Sequence, residues 1–175
     1  MSVCVGKYSS CGSRAGFYVI DDNRGFKEFE SKNDAEYAHS VQSALSMHNL
    51  APFVLSNVGK IRYSHDMKLS GWGYITEIAT MLCCGGNEGC EDCVDIYEKN
   101  LGKVRRLCSK ISDIGLEFMD AHPGNVGYVT RKGRQVLVCI DCGRESVYSD
   151  DAYDNYDDDD YCGCEQCKNR KYNNV

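Results

Sequence analysis

The stretch DAHPGNVGYVTRKGRQVLVCIDCG, residues 120–143, restricts the fold more than any other part of the chain. Two alternating apolar runs, VGYVT and QVLVCID, are joined by the polar turn RKGR, the pattern of a β-hairpin. A hairpin brings the chain back to where it started. The acidic segment before it, with Asp120 and Asn125, and the acidic turn after it, with Asp141, are therefore expected at the same end of the strand pair. Oxygens from two such loops can serve one hard cation such as magnesium. The competing reading is an ordinary hairpin with two cysteines in it, Cys139 and Cys142. The remaining sequence has to decide between them.

Upstream, residues 2–8 alternate like a strand and SSCGSRAG reads as a loop of small residues. FYVID and FKEFE are predicted strands joined by the turn DNRG. A helix follows, with Asn33 or Asp34 as its cap and Ala35, Ala38, Val41 and Leu45 on one face. Pro52 disfavours helical geometry at Ala51 and should end it. Two more strands are expected near residues 54–63 and 71–79, joined by a polar turn at SHDMK. CCGGNEGCEDC packs three glycines and four cysteines into eleven residues and is not expected to form a regular element. Tyr97, Leu101, Val104, Cys108 and Ile111 then mark a helix of about twenty residues, and LEFMD a short strand. After Gly143 the pattern fades. The fold class is α+β, with no internal repeat.

This order of three strands, a helix, two strands, a helix and two acidic loops resembles the protein-kinase-like fold. The residues carry the resemblance further. FKEFE places Lys27 on the third strand, where the family keeps a lysine for the nucleotide phosphates. DAHPGN spaces Asp120 and Asn125 as the family spaces its catalytic aspartate and asparagine, and IDCG puts Asp141 at the metal-binding aspartate. The wording HPGN is closest to the aminoglycoside phosphotransferase and choline kinase branch. The resemblance implies an N-lobe over residues 1–80, a reduced C-lobe over 81–148 and an acidic, cysteine-containing tail over 149–175. It also implies ATP and magnesium as ligands, with Lys27 on the phosphates, Asp120 as base, and Asn125 and Asp141 on the metal. Gly12 and Gly16 would form the phosphate loop, without the usual third glycine. Main-chain groups near Glu77 and Ala79 would meet the adenine.

The sequence departs from the family in three places. The helix glutamate that pairs with the strand lysine is replaced, at the expected position, by Gln42, which can hydrogen-bond an ammonium but not neutralise it. Glu36, the acid well inside that helix, falls far from the apolar face. Phe118 stands where the family usually has a histidine, and about thirty polar residues replace the substrate-binding half. Taken singly, Lys27 reads as a solvated strand residue, Asn125 as a turn residue and His122 as a loop-stabilising hydrogen-bond donor. Jointly and in order they favour a minimal phosphotransferase. A pseudokinase-like binding protein that engages a regulatory or host partner is the alternative, and transfer of AMP on the same scaffold stays open. The acceptor is a hydroxyl on a protein or a small molecule, and a second copy or a host protein could supply the missing platform. Such economy suits a viral or phage genome.

Twelve cysteines in a chain with no recognisable signal peptide point to a reducing cytoplasm. Cys90, Cys93, Cys164 and Cys167 form two C-x-x-C pairs, the spacing of a tetrahedral zinc site, with free thiols as the competing reading. Cys139 and Cys142 are expected to pack. From Ser149 onward, eight acidic and three basic residues carry −5 of the total charge of −6. The body is thus nearly neutral, which argues against nucleic acid binding. With 42% apolar residues and no long apolar run, a membrane span is not expected. The acidic segment reads as a spacer, as a lure for a basic partner or as an autoinhibitory strand.

Overall fold

Alternating side chains in the first third of the chain become an antiparallel sheet with a helix on one face. The computed structural model describes residues 8–11, 15–60, 71–82 and 91–149. β1 (Tyr8–Cys11), β2 (Ala15–Val19) and β3 (Arg24–Phe29) follow one another as neighbours. β1 takes up part of the segment expected to be a loop, while most of the strand expected at 2–8 lies outside the described residues. Beyond the helix come β4 (Gly59–Lys60) and β5 (Trp72–Glu77), giving the order β1-β2-β3-β5-β4. Of the strand expected over 54–63, Gly59–Lys60 form β4, Val54 makes an isolated bridge to Thr76, and residues 61–63 lie outside the described residues. The turn expected at SHDMK lies outside the described residues.

β3 and β5 pair along their whole length, with Lys27 opposite Tyr74 and Glu28 opposite Gly73. A Cβ on Gly73 would fall 1.9 Å from the Lys27 carbonyl oxygen, so this strand position accepts no side chain.

α1 (Lys32–Met47) is capped by Ser31, not by Asn33 or Asp34. The Ser31 hydroxyl accepts the Asp34 N–H at 3.0 Å and donates to Asp34 Oδ2 at 2.7 Å. Asp34 is therefore the third helical residue, satisfied by the cap, and not the cap itself. The other end is closed before Pro52 can act. Asn49 takes the left-handed conformation, φ 57°, and the Leu50 and Asn49 amides return to Leu45 and Ser46. That double closure is a Schellman motif.

The second half contains β6 (Thr80–Met81), α2 (Glu91–Ser112), β7 (Leu116–Phe118), β8 (Val126–Arg131), β9 (Arg134–Cys139) and β10 (Val147–Ser149). β6, β8 and β9 form one antiparallel sheet, and β10 pairs with β7. Between β8 and β9, Lys132 and Gly133 both have positive φ, as a tight two-residue hairpin turn requires. Glu91–Cys93 begin α2, although the cysteine-rich stretch was expected to be irregular to its end; residues 83–90 lie outside the described part. β10 is also unexpected. Three residues are too few to show a period, and pairing with β7 defines it.

One apolar core joins the halves. Val41 and Leu45 of α1, Leu50 and Ala51, Val104, Leu107 and Ile111 of α2, and Val126, Cys139 and Cys142 pack together. A second cluster sets Phe29 and Tyr74 against Ala35 and Ala38. The architecture is α+β. Among the described residues no helix is long and apolar enough to cross a membrane.

Candidate functional site

The β8–β9 hairpin delivers its two flanking loops to one place. The Ile140 amide, just after β9, donates to the Asn125 carbonyl, just before β8, at 2.9 Å. Asn125 in turn donates from Nδ2 to Asp120 Oδ2 at 2.9 Å and to the Asp120 carbonyl at 3.1 Å. His122 stabilises this loop as an acceptor, taking the Gly124 amide on Nδ1 at 3.0 Å. Its Nε2 lies 3.5 Å from Asp120 Oδ2.

Asp141 follows Ile140. Its Oδ1 accepts the Gly143 amide at 3.0 Å and its Oδ2 accepts the Ser146 hydroxyl at 2.6 Å. The carboxylate is thereby held in one orientation. Lys27 reaches the same place from the other sheet and donates from Nζ to the Ile140 carbonyl at 2.6 Å. Lys27, Asp120, Asn125 and Asp141, up to 114 positions apart in sequence, are thus linked through Ile140.

Burial around the site is apolar and sulfur-rich. Cys139 and Cys142 are fully buried, as packing residues, and the Cys139 thiol donates to the Asp141 carbonyl at 2.9 Å. Burial first, and then the Cys142 side chain, push the Cys139 thiol well above its ordinary range. Burial likewise raises the phenol of Tyr74, with negative charge at Cys142 and Asp141 adding to the effect.

Gln42 does not pair with Lys27. It is fully buried beneath the sheet, where Nε2 donates to the Pro52 carbonyl at 3.0 Å and to Thr76 Oγ1 at 2.5 Å. Its Oε1 accepts the Tyr74 hydroxyl at 2.9 Å. All of its polarity is spent inside the core, because the strand phenol beside it has no water to bond. Glu36 pairs with Lys32 at 2.8 Å, and Asp34 lies 3.7 Å from Arg144. Among the described residues Lys27 has no carboxylate partner.

Around Glu77, where the main chain is expected to meet the adenine, two amides already have partners. The Glu77 amide donates to the Phe53 carbonyl at 2.9 Å and the Ile78 amide to the Asn23 carbonyl at 3.0 Å. The Glu77 carboxylate forms a bidentate pair with Arg131 of β8, including Nη2 to Oε2 at 2.6 Å. Arg131 stacks its guanidinium 3.8 Å from the centre of the Phe53 ring. These contacts involve neither the Glu77 and Ile78 carbonyls nor the main chain of Ala79. Gly16 sits in β2 opposite Cys11 and Glu28, and Gly12 lies outside the described residues.

Of the zinc candidates, Cys93 falls in α2 and its side chain is outside the described part, as are Cys90, Cys164 and Cys167. Among the described residues no three His, Cys, Asp or Glu side chains gather as a metal cluster. Magnesium asks less of the protein, since it keeps several waters and takes one or two carboxylates with substrate phosphates. Asp141 is a carboxylate that could serve it, with both oxygens held by hydrogen bonds from Gly143 and Ser146. Asn125 Oδ1 carries no hydrogen bond among the described residues and is the other oxygen that could serve a hard cation.

No protein-family model matches the chain, and no curated protein matches it either.

Sequence reasoning missed the residues that hold the site. Ser146 is 1% exposed and restrains Asp141. A serine five residues past an aspartate gives no warning of that. Arg131 ends a strand of alternating character, and only the pairing of two sheets reveals Glu77 as its partner.

Proposed function

We propose that the chain is a minimal ATP- and magnesium-dependent phosphotransferase of protein-kinase-like architecture, acting on a hydroxyl of a protein or small molecule. The observation that carries this reading is the convergence of Lys27 and the two acidic loops on Ile140. The order of elements from β1 to β9 supports it as well.

Each residue has a chemical task. Lys27 supplies a cation from the sheet side; when nucleotide enters, its ammonium exchanges the Ile140 carbonyl for phosphate oxygens. Asp141, oriented by Gly143 and Ser146, and Asn125, through Oδ1, would hold magnesium. The metal, when bound, neutralises charge on the phosphates. Asp120 is half-exposed and open to an incoming hydroxyl. One of its oxygens is positioned by Asn125, and it takes the hydroxyl proton as the new O–P bond forms and the bond to ADP breaks.

A second reading, a pseudokinase-like binding protein, is favoured by Gln42. With that amide engaged in the core, no acid on α1 orients Lys27. Label transfer from γ-labelled ATP with magnesium separates the two. The enzyme reading expects transfer to an acceptor panel or to the chain itself, lost in Asp141→Asn. Nucleotide binding with no Asp141-dependent transfer would establish the second reading for the acceptors tried.

A further inference from the structure

A cavity of about 470 Å³ lies between α2 and the β8–β9 hairpin. It shares no residue with Lys27, Asp120, Asn125 or Asp141. Lys103, Arg106 and Lys110 rim it, spaced three and four apart so that α2 presents them on one face. Its floor is apolar, from Leu107, Val136 and Leu137, with Tyr128 at one wall. The Lys103 ammonium lies 3.2 Å from the Tyr128 hydroxyl and 5.6 Å from its ring centre. Among the described residues no carboxylate lines the cavity, although acids outnumber bases in the chain by 26 to 20. A concave, cationic, partly apolar site of this size takes an anionic ligand that also offers apolar or aromatic surface.

We propose that its occupant is the chain's own acidic segment, residues 150–160. DDAYDNYDDDD has seven aspartates and two tyrosines in eleven residues, with Tyr161 next. It matches the site both in charge and in aromatic content. The point of departure fits too. β10 ends at Ser149, paired with Leu116, and Leu116 follows the end of α2 at Ser112 by four residues. Lys110 is in the last turn of that helix. The three cations span about 10 Å of helix, and eleven extended residues reach about 35 Å. The tether therefore keeps the segment near the site at high effective concentration. Aspartates meet Lys103, Arg106 and Lys110 at the rim, and a tyrosine ring covers the apolar floor. The inference is independent of the phosphotransfer reading.

Carbodiimide cross-linking of the full chain, read by mass spectrometry on a mixture of light and heavy isotope-labelled protein, tests it. The expected result is cross-links within one chain from Lys103 and Lys110 to residues 150–160, reduced about fivefold by Arg106→Glu, an exposed change that leaves the core intact. Cross-links only between light and heavy chains would overturn the proposal and assign the site to a second copy. So would cross-links from the segment spread evenly over Lys32, Lys60, Lys99 and Lys103, which would mark the cavity as no preferred partner.

Discussion

Lys27 sets its ammonium on a main-chain carbonyl inside the protein, where an exposed strand lysine would reach for water. If that position serves phosphates, Lys27→Met lowers kcat/KM for ATP about a hundredfold, the scale of losing one transition-state charge contact. In the fold the same variant loses the Ile140 hydrogen bond, about 1 kcal/mol in urea unfolding, so a large activity loss with a small shift of the unfolding curve is the expected pair of results. Gln42 makes a different prediction. Gln42→Leu strands the Tyr74 hydroxyl and the Pro52 carbonyl in the core and costs about 1–3 kcal/mol in urea unfolding. With Tyr74→Phe added, the pair costs less than the sum of the single changes, because one orphaned group is gone. The sequence showed that position 42 sits on the edge of the buried face. It did not show the partner, which comes from a strand 32 residues away. Cys139 gives a pH prediction. Its folded-state thiol is raised above the ordinary 9.0, so an unfolded chain releases this proton at a lower pH than the folded one. The contribution is intact below pH 9.0 and is lost as the pH rises above it. Unfolding free energy followed into alkali should therefore fall less steeply in Cys139→Ala than in wild type.

At the scale of elements, the β3–β5 pairing positions Lys27, and Gly73 makes that pairing close. Gly73→Ala forces a methyl onto the Lys27 carbonyl and costs at least about 2 kcal/mol, measured as a lowered midpoint in thermal unfolding. Gly59→Ala, with open space around the new methyl, serves as its control. α1, α2 and the β8–β9 hairpin were legible because each repeats its period over several turns or pairs. Ser31 as the cap and Asn49 as the closing residue were not, since both act through a pair of local hydrogen bonds that leaves no period in the sequence. β6 and β10 have two and three residues, and their strand character is conferred by β8 and β7. The acidic loops were legible as neighbours because a hairpin allows no other arrangement of its ends.

Across the whole molecule, several ties hold the sheet and α1 of the first half against the second half. Lys27 bonds Ile140, Glu77 pairs with Arg131, and Tyr37 donates to the Val147 carbonyl at 2.7 Å. Two of these end on the segment from Ile140 to Val147, so the position of Asp141 depends on both halves at once. No local pattern in the sequence announces such ties, because they link side chains more than fifty positions apart. The account's central claim is that these halves enclose one magnesium–nucleotide site. Isothermal titration of ATP into the full chain, with and without magnesium, tests it most directly. The predicted result is saturable binding that requires magnesium and is lost in Asp141→Asn, a change that keeps an acceptor for the Gly143 amide and lets the carboxamide donate to the Ser146 hydroxyl in place of accepting from it. Binding equally strong in Asp141→Asn, or no binding to the wild-type chain at all, would contradict it.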